Sequence, residues 1–530
     1  MFKASLTALA AILSLGESFA QPALAQEDVD QRFGAVHFPT SCNEVAQRRF
    51  DRGMRYQHSF WYTQAKEVFE EVAKADPTCG MAYWGIALTY LNNPHSAIPA
   101  PNLQPGLAAI QKAKEIGAKT ERERDYMDAL ALMYVDYDKI PQPARIQGYL
   151  KAQEAVAARY PDDDEAQIAY AITLNVAASP ADKTYANQLK GIAILEPIFK
   201  RQPRHPGVAH YLIHLYDYPA LADKGLNAAK LYSQIAPAAP HAQHMPSHIF
   251  TRVGYWTESI ASNIASVKAA MAGKEAPQAL HAWDYMVYAY LQLAQDKNAH
   301  TVLGEMTAAT GVGPDDFGAQ FALAASPARY VMERGDWIGA AALDVRQSKF
   351  AQVMAITHFA RALGAARTGN LDAARTDIAR LAELRDKLRE AKIGYWAQQV
   401  DIQWQLASAW LLYAEGKQDD ALKAMAAAAG NEDKTEKSPV TPGPIMPARE
   451  LYGEMLLDRG MAQEALAAFE ASKAKEPNRF HGLLGAAKAA EKLGNKAVAK
   501  ANYEKLVDMV GGGQSDRAEV TAARRYLSSN

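Results

Sequence analysis

The sequence predicts an all-α protein built as an array of helix–turn–helix repeats, and three observations support this class. Glycine, alanine and aromatic residues recur at a fixed period near the carboxyl end. No segment rich in Val, Ile and Thr alternates between hairpin turns, so strands are not expected. The composition, with 49% hydrophobic and 22% charged residues, is that of a folded chain.

The period is clearest in the last hundred residues, where small residues, an aromatic and a proline mark one unit: Gly453, Gly460, Ala465, Phe469 and Pro477. Gly494, Ala499 and Tyr503 repeat part of it 34 residues later. The same frame fits near the amino end, at Gly53, Tyr56, Ala65, Phe69 and Pro77. Small residues let paired helices approach closely, the aromatic fills their groove, and proline ends the second helix.

This period and these residue types match the tetratricopeptide signature. We therefore expect an α-solenoid, a right-handed superhelix with a concave groove, over residues 26–530. An irregular helical bundle is the alternative. Proline-rich loops are expected near residues 92–105 and 431–447, and Ser179-Pro180 opens a shorter break. The second loop is long enough to be either a lid or a linker.

The first 25 residues have the features of a signal peptide. Lys3 precedes an apolar run from Ala4 to Leu15, and Ala23-Leu24-Ala25 forms a small-x-small cleavage site. Cleavage after Ala20 and a retained anchor are the alternatives. No later segment has 18 uncharged apolar residues in a row, so no transmembrane segment is expected after cleavage. The predicted location is periplasmic or secreted.

The chain has two cysteines, Cys42 and Cys79, and both lie near the expected mature amino end. In an oxidising compartment such a pair is expected to form a disulfide bond. Two unpaired buried thiols are the alternative. The formal net charge of −2 offers no basic surface for phosphate backbones, so nucleic acid is not an expected partner.

Five histidines fall in one short part of the chain: His210, His214, His241, His244 and His248. His210 and His214 are four residues apart and share one face of a predicted helix. His248 lies in the helix that Pro246 begins. If neighbouring helices bring His210 and His214 to His244 and His248, these four imidazoles form a zinc or copper site.

In such a site Asp217 would orient an imidazole or bind the metal directly. The window lacks the glutamate of His-Glu-x-x-His, so it shows no general base. The alternative is that these histidines hydrogen-bond within the wall or contact a ligand.

Three further residues are predicted ligand contacts: Lys183, Tyr185 and Asp284. His281 and Asp284 are three residues apart, a spacing that allows a His–Asp pair on one helix face. No Gly-x-Ser-x-Gly turn accompanies the pair, so no catalytic residue is assigned.

Three segments carry a resemblance to a known group: Cys42 to Asn93, His210-Tyr211-Leu212-Ile213-His214, and His244-Met245-Pro246-Ser247-His248-Ile249-Phe250. They resemble large bacterial exported tetratricopeptide-repeat proteins, mostly of unassigned activity. The resemblance implies a fold, a compartment and a shared histidine window, but no reaction. It also implies a histidine where this chain has Ser438, and that departure argues against a loop-supplied ligand.

These observations lead to two functional hypotheses. The first is a binding or scaffold protein that holds a peptide, protein or small ligand in its concave groove. The alternative is a metalloprotein, a zinc or copper carrier or a metal-dependent hydrolase, that uses the same histidines. A scaffold that acts through its convex surface is a third reading.

Overall fold

The computed structural model describes residues 32–511 and 515–529, and these residues form helices and connecting segments without a strand. The predicted signal peptide lies outside the described residues. No helix within the described ranges is both long and apolar enough to cross a membrane.

The α-helices follow one another along the chain as α1 Glu44–His58, α2 Tyr62–Ala75, α3 Gly80–Tyr90, α4 Ala100–Ile116, α5 Glu121–Ala131, α6 Gln142–Arg159, α7 Asp164–Val176, α8 Ala186–Arg201, α9 Pro206–Tyr216, α10 Leu226–Ile235, α11 Pro240–His244, α12 Pro246–Val253, α13 Trp256–Ala272, α14 Ala276–Gln292, α15 Asp296–Ala308, α16 Phe317–Met332, α17 Trp337–Ala341, α18 Ala351–Arg367, α19 Leu371–Glu390, α20 Gly394–Ala414, α21 Gln418–Asp433, α22 Ala448–Asp458, α23 Ala462–Lys475, α24 Phe480–Lys492, α25 Lys496–Val510 and α26 Ala518–Ser529. Most consecutive helices pack against each other, as in a tetratricopeptide-like α-solenoid.

The predicted packing of glycine against an aromatic ring is present. The buried ring of Phe69 on α2 fills the groove between α1 and α3, where Gly53 and Gly85 face it. A methyl group at either glycine would lie 2.6 Å from a ring carbon, which is closer than packed carbon atoms approach. Phe469 on α23 packs in the same way between Gly453 and Gly485. The repeat signature is therefore a steric requirement of helix pairing.

Cys42 and Cys79 form a disulfide bond, with their Cα atoms 5.1 Å apart. The bond ties the segment before α1 to the start of α3, so it spans the first helix pair.

The two proline-rich segments are shorter than predicted. The first irregular segment covers residues 91–99, because α4 already begins at Ala100 and contains Pro101 and Pro105. Pro101 lies in the first turn, where its missing N–H has no intrahelical partner to lose. The second covers residues 434–447, because α21 continues to Asp433. We call residues 434–447 the strap.

The array also has contacts between helices far apart in sequence. Buried Arg479, just before α24, donates hydrogen bonds to Glu333 after α16 (2.5 Å) and to Glu450 on α22 (2.8 Å). It also donates to the Tyr288 hydroxyl on α14 (2.6 Å). These bonds draw the carboxyl-terminal helices onto the middle of the array.

Replacing Gly85 with alanine is expected to destabilise the protein by about 1–3 kcal/mol, because the added methyl group collides with the Phe69 ring. Gly148→Ala is the matched control: Gly148 lies within α6 and has open space around it, so the change is expected to stabilise by about 0.5–1 kcal/mol. Chemical unfolding of both variants measures the difference. Equal effects of the two substitutions would contradict the steric account.

Removing the disulfide by the double substitution Cys42→Ser and Cys79→Ser is expected to cost at most about 4 kcal/mol of unfolding free energy, the entropy of closing its loop. A thermal melt with and without reductant measures this. Reductant should lower the melting midpoint of the wild-type protein and leave that of the double variant unchanged.

Candidate metal centre

Six histidines from four helices meet in the interior of the array. Helix α9 supplies His210 and His214 one turn apart, α11 supplies His241 and His244, α12 supplies His248, and α14 supplies His281. The first five are buried and His281 is partly buried. They form two groups of three, each with ligand nitrogens within 4.8 Å of one another.

The first group, called site A, contains His210, His214 and His241. The Nε2 atom of His210 lies 3.1 Å from the Nε2 atom of His214 and 3.1 Å from that of His241. Phe60 packs its ring edge-on against His210, and Tyr232 stacks on the same imidazole. These contacts hold the central imidazole of site A in one orientation.

The second group, called site B, contains His244, His248 and His281. The Nε2 atoms of His244 and His248 are 3.0 Å apart, and the ring centres of His244 and His281 are 4.3 Å apart. The two sites adjoin: ring centres are 5.8 Å apart between His214 and His248 and 6.0 Å apart between His241 and His244.

In three of the imidazoles, the hydrogen-bond partner of Nδ1 determines which of the two ring nitrogens carries the proton. The Nδ1 of His210 lies 2.6 Å from the backbone carbonyl of His58, which only accepts. The Nδ1 of His244 lies 2.7 Å from the Asn263 side-chain oxygen, and the Asn263 amide donates to the Ser259 carbonyl, which fixes the amide orientation. In each case Nδ1 must be the donor, so Nε2 is left with a lone pair.

The third anchored imidazole, His248, uses a charged acceptor. Its Nδ1 lies 2.9 Å from a carboxylate oxygen of Asp217. Burial opposes ionisation of Asp217, but nearby Lys437 and Arg252 and the His248 hydrogen bond outweigh it, so the Asp217 pKa is lowered. Because Asp217 is a carboxylate, His248 must donate through Nδ1. A carboxylate behind the imidazole is the usual support for a metal-binding histidine.

This arrangement leaves lone pairs facing one another. His244 and His248 both donate through Nδ1, so neither Nε2 carries a proton, and yet these two atoms are 3.0 Å apart. Two acceptors at that distance repel unless a cation lies between them. Nitrogens on a tetrahedral ion with 2.0–2.1 Å bonds are about 3.3 Å apart, close to the separations in both sites. The geometry fits transition-metal coordination.

The imidazoles are also held in the neutral form that metal binding needs. Burial lowers the pKa of His210 and of His281 to about 3. Burial, followed by neighbouring imidazoles, also lowers the pKa of His214, His241 and His244.

A seventh imidazole borders site A. His95 lies in the irregular segment 91–99, and its ring centre is 4.3 Å from that of His214. The Nε2 of His95 and the Nδ1 of His214 are both buried without a hydrogen-bond partner. His95 is therefore placed to approach the ligand set of site A.

A third histidine cluster is satisfied by hydrogen bonds. Glu165 on α7 lies 3.1 Å from Nε2 of His58 and 2.9 Å from Nε2 of His205. The Nδ1 of His205 accepts the Val208 N–H, so its Nε2 donates to Glu165. Burial opposes ionisation of Glu165, but the two histidines outweigh it and the Glu165 pKa is lowered. No lone pairs conflict here, and the cluster positions the His58 carbonyl that anchors His210.

The structure corrects the predicted grouping of the four site histidines. His210 and His214 do share one helix face, but they meet His241 directly, whereas His244 and His248 join His281. His281 therefore does not pair with Asp284. The spacing of His241 three residues before His244 was a usable helical signal. His95 and His281 had no such sequence signal, because His95 comes from a loop and His281 from a helix distant in sequence.

The three other predicted ligand residues have structural partners. Lys183 donates to Glu436 (2.6 Å), and the Tyr185 hydroxyl donates to the same carboxylate (3.2 Å). Asp284 is buried against Arg329 and accepts from Ser326 (2.8 Å). Lys183 and Tyr185 thus hold the strap in place, and Asp284 pairs with Arg329, whose other nitrogen donates to Thr441 on the strap.

The strap packs beside the two histidine sites and contacts residues next to His248. Lys437 donates to Asp217 (2.8 Å), behind His248, and the carbonyl of Thr441 accepts from the Tyr285 hydroxyl (3.2 Å). Tyr285 in turn lies 3.4 Å from Nδ1 of His248. The strap therefore packs against the side of the centre that holds Asp217, His248 and Tyr285.

Replacing Glu165 with glutamine is expected to destabilise the protein at pH 7 by about 1–3 kcal/mol, because it removes a buried charge-assisted acceptor. A carboxylate with a lowered pKa stabilises the fold above its unfolded-state pKa near 4.5 and loses that effect as pH falls. The stability difference between wild type and variant should therefore shrink on acidification below about pH 5. Unfolding measured across pH tests this, and a constant difference would contradict it.

No protein-family model matches the chain, and no curated protein matches it. Solved structures that are similar include Naa15/Naa10 bound to HypK-THB, with 13% identity over 92% of this chain and 79% of that chain and a TM-score of 0.23. The APC/C hetero-tetramer Cut9-Hcn1 shares 11% identity over 91% and 95%, with a TM-score of 0.30. Yeast Tom70 shares 11% over 92% and 96%, with a TM-score of 0.28. At these TM-scores the likeness supports no functional conclusion.

Proposed function

We propose that this protein is an exported metalloprotein whose tetratricopeptide-like array encloses two adjacent transition-metal sites. Site A binds one ion through His210, His214 and His241, and site B binds another through His244, His248 and His281. The observation that carries the proposal is the pair of Nε2 lone pairs of His244 and His248, 3.0 Å apart with both Nδ1 atoms already donating.

The ligand atoms indicate which metals the two sites bind. Each site offers only imidazole nitrogens, which suit zinc and copper, and offers no carboxylate of the kind that calcium, magnesium or manganese prefer. Asp217 contacts the centre only through His248 and is shared by Arg252 (2.8 Å) and Lys437 (2.8 Å). A carboxylate so engaged is a poor general base, which argues against a hydrolase at this centre.

Export belongs to the same proposal. The Cys42–Cys79 disulfide supports the predicted periplasmic or secreted location, since such bonds persist in oxidising compartments. Binding of a peptide or protein partner stays a prediction. A groove lined by His210, His214, His244 and His248 is not part of it, because these side chains are buried.

Protein purified without an affinity tag and loaded with excess zinc or copper, then desalted, is expected to retain two ions per chain. His210→Ala and His244→Ala should each lower the retained metal to about one ion, and the double variant should retain none. Elemental analysis measures this. His300→Ala is the control, since His300 is exposed on α15 and belongs to neither ligand set.

Circular dichroism of the same samples should show unchanged helicity for the single variants. Metal content that is the same in the wild type and in the double variant, with both folded, would contradict the proposal.

A further inference from the structure

A cleft leads from the surface to both metal sites. His241 of site A and His281 of site B both line it, together with the irregular segment 91–99 and the start of α16. Its volume is about 220 Å³, and Phe60, Tyr62 and Phe317 form much of its apolar wall. A small molecule in this cleft would contact one ligand side chain of each site.

The two sites are built without negative charge in the ligand set. All six ligands are imidazoles, and the nearby carboxylate of Asp217 is matched by the positive charges of Arg252 and Lys437. The cost of burying an ion rises with the square of its charge. Two divalent ions in this surrounding therefore need anionic compensation, whereas monovalent ions need much less.

Copper is the metal of this donor type that is stable as a monovalent ion, and imidazole is among its usual ligands. Three protein ligands for each ion leave a coordination position open to an incoming molecule. The cleft brings an incoming molecule to one ligand of each site, His241 and His281.

We propose, building on the proposed function, that the two sites hold a pair of copper(I) ions that bind dioxygen between them and reduce it by two electrons. Each copper(I) gives up one electron and becomes copper(II). Dioxygen accepts the two electrons and becomes a peroxide dianion, with no proton required. The two negative charges of peroxide offset the two positive charges that the metal pair gains.

The shared cleft and the neutral ligand set carry this inference together. A single site would supply one electron only, so two-electron reduction needs both. The anion forms between two ligand sets that contain no carboxylate. The two carboxylates that line the cleft, Asp315 and Asp316, already pair with Lys349 and with the Gly313 N–H.

The test uses the full mature chain, loaded anaerobically with copper(I) and then exposed to a measured amount of dioxygen. The expected result is two coppers per chain, one dioxygen consumed per two coppers, an intense near-ultraviolet charge-transfer band, and no electron paramagnetic resonance signal because the two copper(II) spins are coupled. His300→Ala should behave as wild type.

His210→Ala and His281→Ala break one site each. Each variant is expected to lose the charge-transfer band and to give the resonance signal of isolated copper(II) after slow oxidation. Circular dichroism reports whether each variant is folded, and the two variants act from different helices, so misfolding of one leaves the other as a test.

Two coppers that bind to the wild-type protein but consume no dioxygen, or that show two uncoupled copper(II) signals, would overturn the inference and leave the proposed metal sites intact. Retention of two zinc ions with exclusion of copper would also overturn the dioxygen inference and leave the proposed metal sites intact. Failure to retain either metal would overturn the proposed function itself, and the elemental analysis detects that outcome separately.

Discussion

The buried carboxylate of Asp217 joins three parts of the chain that are remote in sequence. It follows α9, accepts from His248 and Arg252 on α12, and accepts from Lys437 on the strap. An ionised carboxylate removed from water is costly unless it is paired and fully hydrogen-bonded. Because Asp217 meets that requirement only when α9, α12 and the strap are together, the position of site B depends on it.

The same constraint explains why the array is closed at its centre. Arg329 and Arg479 are both fully buried, and each needs partners from distant segments: Asp284 and the strap for Arg329, Glu333 and Glu450 for Arg479. An open solenoid would leave these groups to water. Here they tie the carboxyl-terminal helices and the strap over the histidines, and the imidazoles lie inside the protein.

Much of the fold was predictable from local sequence. Gly53, Phe69, Gly453 and Phe469 occupy the positions that the repeat period assigns, because close helix pairing leaves no room for a side chain opposite the ring. The disulfide pair was predictable from the count of two cysteines. The lengths of the proline-rich loops were overestimated, since proline in the first turn of a helix is compatible with that helix.

The sequence by itself determined the helix pairs, their packing residues and the presence of His210, His214, His244 and His248 in one region, because these features depend on neighbours within a few dozen residues. The tertiary structure alone decided how the imidazoles divide into two groups, that His241 and His281 complete them, and that Lys183 and Tyr185 hold the strap. Those outcomes depend on the curvature summed over many helix pairs and on buried charges that find partners hundreds of residues away. No local spacing encodes either quantity.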